Sequence, residues 1–144
     1  MSEKWIARSI EWLVSKQNED GGFGETVISY NNPEKYNGWG KSTVSQTAWG
    51  LLALLEVKHL YNVDSAIEKA VNYLMKSFKE QGNIFFDTSV VGTGHRGLLY
   101  LQYPCYAYSF PLLALSRYRN QIDGVWVPNA PSQKVDMDNR TMDI

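Results

Sequence analysis

Shifted against itself by a constant offset, the chain repeats. Ile6-Ala-Arg-Ser-Ile-Glu-Trp-Leu13 lies over Ile67-Glu-Lys-Ala-Val-Asn-Tyr-Leu74, and Gly21 lies over Gly82. Further on, Gly50-Leu-Leu-Ala-Leu54 lies over Pro111-Leu-Leu-Ala-Leu115, where 112 − 51 gives the same offset of 61 as 67 − 6. A gap-free register over separated segments implies a duplicated unit. Units of this length are helical hairpins that bury their apolar faces only by stacking on one another.

Each unit reads as an outer and an inner helix. Trp5, Ile6, Ile10, Leu13 and Val14 recur at helical spacing, as do Ile67, Val71, Leu74 and Phe78. The inner helices are expected over 43–57 and roughly 101–120. Ser65 with Glu68, and Thr43 with Gln46, have the spacing of capping boxes. Gly21-Gly22 and Gly82 stop the outer helices, and Pro111 predicts a kink or break in the last one. The expected layout is therefore an all-α domain over 1–121. It contains two repeats, about 5–57 and 66–118, with no strands in either half, followed by an extended or disordered tail over 122–144. Asn139-Arg140-Thr141 in that tail fits a glycosylation sequon, but no secretory signal supports its use.

Composition removes several classes of function. The net charge of the 144 residues is −1, so nothing suggests nucleic acid or an acidic partner. The single cysteine, Cys105, excludes an internal disulfide and a Cys-rich metal site, and reads as an inert small hydrophobe. No signal peptide is readable, and no run approaches the ~18 apolar residues of a membrane span. The expectation is an intracellular chain that could still rest on a membrane surface. Aromatic content is high at 13%. It is concentrated in Val91–Tyr118, which holds five tyrosines and Phe110.

Three motifs carry a resemblance. Trp12 to Glu25, "WLVSKQNEDGGFGE", is similar to the QW repeat of the triterpene cyclases, with Gln17, Gly21 and Phe23 at its key positions and Phe23 replacing the usual Trp. Ser42 to Leu54, "STVSQTAWGLLAL", resembles an inner helix of squalene-hopene cyclases and contributes Gln46 and Trp49. The segment "GTGHRGLLYLQYPCYAYSFPLLALSRY" resembles the C-terminal motif of the same enzymes. The matches occur in the family's order and cover about Trp5 to Tyr118. The chain is identified as the C-terminal segment of a squalene-hopene-type cyclase. The resemblance implies part of an (α/α)6 toroid, a fold shared with protein prenyltransferases. Two repeats are a fraction of such a ring. Remaining segments of the cyclase, or another chain, are expected to complete it and cover its apolar faces.

The family's chemistry gives the aromatic residues a possible task. Cyclisation of squalene or a similar linear polyprenoid begins with protonation of an alkene and proceeds through carbocations in a water-free cavity. A carboxylate near every carbon would trap or deprotonate the cation. Aromatic faces attract it without acting as bases, by about 0.5–2 kcal/mol each. By the resemblance, Tyr103 and Tyr106 line that cavity, with Tyr100 beside them. From the residues alone, the same tyrosines could equally pack between helices with satisfied hydroxyls. Spacing places Tyr103 and Tyr106 on one helical face, with Phe110 and Tyr118 packing elsewhere as core.

Two candidate substrate-binding positions depart from the family. His95 and Leu99 stand where it has phenylalanines, so the product need not be hopene, and a histidine there could take a proton and end the cascade early. Arg96 replaces a proline, and burying it unpaired would be costly. The second repeat also departs, with Phe78 in place of Gln and Asn83-Ile84 where Gly-Trp is usual.

No catalytic residue is assigned within this chain. The family's acid lies in an Asp-x-Asp-Asp motif that these residues lack, and by the resemblance it belongs upstream of Trp5. Asp20 and Glu25 sit in a turn too solvated for an acid pair, and the remaining motif residues, Trp12, Gln17, Gly21, Phe23, Gln46 and Trp49, are read as structural. Trp12, Phe23 and Trp49 are expected to stack and bury area. No cofactor and no metal is expected. The complete enzyme is expected to be monotopic, on a membrane or a lipid droplet. Two other functions stay open: a non-catalytic binding or assembly module, and a prenyltransferase β-like subunit, for which the zinc ligands are missing.

Overall fold

The computed structural model describes residues 3–124. The outer helix α1 spans Glu3–Ser15. A 3₁₀ turn (Val27–Tyr30) and the one-turn α2 (Pro33–Tyr36) then lead to α3 (Val44–Val57). Helix α4 spans Asp64–Glu80. A two-stranded antiparallel hairpin, β1 (Gly92–His95) and β2 (Leu99–Leu101), precedes α5 (Pro104–Ile122). The all-α expectation holds for the helices, but the hairpin contradicts the expectation that neither half forms strands, and so counts against a strict duplication of the two halves. Shifted by 61, the α1 range falls on 64–76 inside α4, and the α3 range falls on 105–118 inside α5. The connectors differ, with a 3₁₀ turn and short helix in the first half and a hairpin in the second.

Helix α3 is apolar on nearly all sides and sits between α4 and α5. Leu51, Leu54 and Leu55 are fully buried, and they meet Ile67, Ala70 and Leu74 of α4. Helix α5 contributes Ala107, Pro111 and Ala114 at spacings of four and three, a stripe of small residues on its buried side. Ile10 and Leu13 of α1 pack on the same core.

Local chemistry explains where the elements begin, and several expectations need correction. Helix α5 starts at Pro104 rather than near Leu101. Residues Leu99–Leu101 pair as a strand, and Tyr103 is held extended (φ −106°, ψ 94°) by the proline that follows it. Pro111 does not break α5, which is continuous through it, and its ring is buried in the core. The Ser65–Glu68 box does not form. Helix α4 begins two residues earlier than that box requires, with Val63 at its N-cap and no side-chain cap, while Asp64 pairs with Lys58 at 3.1 Å. Thr43 does cap α3, accepting from the Gln46 amide at 3.2 Å. Gln46 Oε1 accepts from the Thr43 hydroxyl rather than from the Thr43 amide, because that amide already donates to the Phe23 carbonyl. The tail expected from 122 lies, from residue 125 onward, outside the described residues, as does the Asn139 sequon.

Candidate functional site

Four aromatic rings form one cluster. Trp49 projects from α3, Tyr106 and Phe110 from α5, and Tyr103 from the residue before α5. Tyr103 stacks on Tyr106 with centroids 4.8 Å apart and an interplanar angle of 28°. Tyr106 meets Trp49 edge-on at 5.8 Å and Phe110 edge-on at 5.5 Å. Trp49 and Phe110 close the triangle at 5.5 Å. Edge-to-face rings at these separations attract beyond their buried area.

The backbone makes room for the cluster. A side chain at Gly92 would put its Cβ 2.7 Å from the Tyr103 ring, so β1 can lie against that ring only as glycine. Tyr106 and Phe110 are one turn apart on α5 and share a face. This corrects the expectation for Phe110, which belongs to the same face as Tyr106 and is partly buried. Tyr103 reaches Tyr106 from outside the helix, not by helical spacing.

The other predicted substrate-binding residues lie apart. The Tyr100 hydroxyl accepts from Asn31 Nδ2 and from the Gly97 amide, both at 3.1 Å, so it clamps the hairpin to the loop after the 3₁₀ turn. His95 and Leu99 face each other across the strands and are exposed, with His95 Nδ1 3.1 Å from the Arg96 carbonyl oxygen. Arg96 is exposed rather than buried, and donates to the Asn31 side chain and carbonyl at 3.4 and 3.3 Å. Its charge therefore stays in water.

The QW-like residues hold the turns. Gln17 donates to the carbonyls of Gly21 and Ala66, each at 2.9 Å, and so ties the first turn to the start of α4. Gly21, at φ +85°, lies where a Cβ would be 2.5 Å from the Lys69 carbonyl oxygen. Phe23 is buried, donates its amide to Thr47 Oγ1 at 2.9 Å, and fills the space that the missing Cβ of Gly50 leaves. Gln46 bridges the amide and carbonyl of Glu25. Trp12 does not stack with Phe23 and Trp49. It is 42% exposed, with Lys16 Nζ 5.8 Å from its ring centroid. Cys105 is likewise exposed rather than buried.

A cleft of about 1100 Å³ lies elsewhere, lined in part by Asn18, Asp20, Glu25, Trp39, Lys41 and Val90. It contains none of the predicted substrate-binding residues. Its carboxylates and hydroxyls would quench a carbocation, so the aromatic cluster is the better candidate. Asp20 and Glu25 also have separate tasks: Asp20 accepts from the Gly22 amide and Ser42 Oγ, and Glu25 from the Gly38 amide. Among the described residues, no group of three or more His, Cys, Asp or Glu side chains could hold a metal ion. None of the helices searched is long and apolar enough to cross a membrane.

Sequence reasoning missed Asp87. This carboxylate is 5% exposed and accepts from the Val44 and Ser45 amides at 2.9 and 3.2 Å and from the Ser45 hydroxyl. A lone acid in an irregular connector carries no periodic signal. Its only sequence cue is the stretch of polar residues at the start of α3.

Residues 1–120 match the squalene-hopene cyclase C-terminal domain family. The chain belongs to that family. It is 62% identical over 109 residues to a squalene-tetrahymanol cyclase of Tetrahymena thermophila, covering 73% of this chain and 16% of the relative. It is 42% identical over 120 residues to a squalene–hopene cyclase of Bradyrhizobium diazoefficiens, covering 80% of this chain and 17% of the relative. A dammaradiene synthase of Dryopteris crassirhizoma is 39% identical over 132 residues, covering 83% of this chain and 19% of the relative. The chain thus spans less than a fifth of the length of these triterpene cyclases.

Proposed function

We propose that this squalene-hopene cyclase-family segment forms one wall of a cavity in which a linear polyprenoid such as squalene cyclises through carbocations. The observation that carries this reading is the Trp49–Tyr103–Tyr106–Phe110 cluster, where four rings meet without a carboxylate among them. Each available ring face lowers a nearby cation by about 0.5–2 kcal/mol, more when water is excluded. Tyr103 and Tyr106 are the proposed substrate-contacting residues. Tyr100, with its hydroxyl already accepting two hydrogen bonds, acts on the shape of the hairpin rather than on substrate.

The initiating proton comes from a segment outside these 144 residues. In the assembled enzyme, 5–57 and 66–118 are two repeats of an (α/α)6 toroid, and the remaining repeats cover apolar side chains such as Leu112, which is 62% exposed here. His95 and Leu99, at the exposed end of the hairpin, become part of the cavity only if those segments enclose them, and they would then bias the last cation toward a product other than hopene. The complete enzyme rests on a membrane or lipid droplet from which it draws its substrate.

The test is a chimaera in which this segment replaces the matching stretch of a complete squalene–hopene cyclase. The proposal expects an active enzyme with a shifted ratio of polycyclic products. A well-folded, squalene-binding chimaera with the parent's product ratio would contradict it.

A further inference from the structure

We propose that Asp87 and Gln102 are positioning residues that set the register of α3 against α5 at the aromatic cluster. The inference rests on the cavity-wall reading above for its consequence, but not for its geometry. Asp87 lies in the connector between α4 and β1 and has two functions at once. Its carboxylate holds the first turn of α3 through the Val44 and Ser45 amides and the Ser45 hydroxyl. Its main-chain carbonyl accepts from Gln102 Nε2, on the residue immediately before Tyr103. One residue therefore grips the start of the helix that carries Trp49 and the start of the segment that carries Tyr103 and Tyr106.

The chemistry of the grip is directional. A buried carboxylate is tolerated only when fully hydrogen-bonded, and here it also meets the positive end of α3. Thr43 Oγ1 takes the next amide, that of Gln46, so the first turn of α3 is held by Asp87 and Thr43 together. An apolar residue at 87 would leave three buried donors without partners and let the first turn of α3 shift. Because Trp49 touches Tyr106 and Phe110 edge-on, a small shift of α3 against α5 changes those contacts first. Apolar packing lower in the core, around Leu51 and Leu55, fixes how close the helices lie but has no preferred register.

The test uses 5-fluorotryptophan-labelled full chain, with the Trp49 ¹⁹F resonance assigned by its loss in Trp49→Phe. Asp87→Ala and Gln102→Met should each move that resonance, and Asp87→Asn, which keeps an acceptor oxygen of the same shape, should return it toward the parent position. Leu55→Val should lower the melting temperature without moving it, which separates positioning from general loosening. In the chimaeric cyclase, Asp87→Ala and Gln102→Met should change the product ratio by about threefold or more. An unmoved Trp49 resonance in both variants overturns the proposal. Should Asp87→Ala fail to fold, Gln102→Met alone decides. A moved resonance with an unchanged product ratio leaves the positioning intact and overturns the cavity-wall reading instead.

Discussion

Tyr106 stands edge-on to Trp49, with ring centroids 5.8 Å apart and planes at 71°, and this contact joins the inner helices of the two halves. At the 61-residue sequence offset Trp49 falls on residue 110, and Trp49 and Phe110 are themselves edge-on at 81°.

Phe110 is in contact with two rings yet only partly buried. Phe110→Ala should therefore cost about 2–3 kcal/mol, below the range for a fully buried ring. Tyr106→Leu, which keeps much of the apolar volume, should cost about 1 kcal/mol. Urea denaturation of both variants measures this. Equal losses would mean that Tyr106 is as much a core residue as Phe110.

Gly21 and Gly82 occupy equivalent turns and both have positive φ, +85° and +77°. An alanine at Gly82 would meet nothing within 4 Å, whereas at Gly21 its Cβ would lie 2.5 Å from the Lys69 carbonyl oxygen. Gly82→Ala should lose about 1 kcal/mol from the left-handed backbone alone. Gly21→Ala should lose at least twice that, because backbone must also move. If the two midpoints fall together, the tight approach of the first turn to α4 is absent in solution.

The helical frame was legible because α1 and α4 have regular apolar stripes that periodicity detects directly, while α3 is marked by its apolar run. The turn glycines and the Thr43 cap were legible for the same reason: a left-handed backbone and an unfilled amide each demand a particular residue type. The hairpin was not. Gly92, Gly94 and Gly97 give it no strand propensity, and it exists because the Tyr103 ring packs over Gly92 and the Tyr100 hydroxyl bonds Asn31 and the Gly97 amide. In the candidate site, the motif match indicated Tyr103 and Tyr106. Phe110 packs against the core as expected, but its shared face with Tyr106 was missed because Tyr103 was taken as the helical neighbour of Tyr106. Asp87 was missed because its partners lie more than forty residues away in sequence.

Tyr73 of α4 provides a pH test. Burial raises its phenol above the ordinary value of 10.0, and a hydrogen bond with Ser77 opposes part of that rise. A raised folded-state pKa means the native chain keeps the proton after the unfolded chain has begun to lose it. Its contribution is whole below about pH 10 and declines as the pH climbs through the folded value. As the pH rises from about 10 upward through the folded value, the parent should lose more stability than Tyr73→Phe, which has no phenol to titrate at that position. Parallel losses would mean that Tyr73 is solvated in the native state.

The most direct measurement of the central claim is the product ratio of Tyr106→Leu in the active chimaeric cyclase, read beside its melting temperature. Removing one π face should cost about 1–2 kcal/mol of cation stabilisation, roughly a tenfold change in partitioning between cyclisation and early termination. The account predicts a rise in incompletely cyclised products with little change in melting temperature. An unchanged product ratio together with a stability loss as large as that of Phe110→Ala would make the tyrosines packing residues and contradict the account.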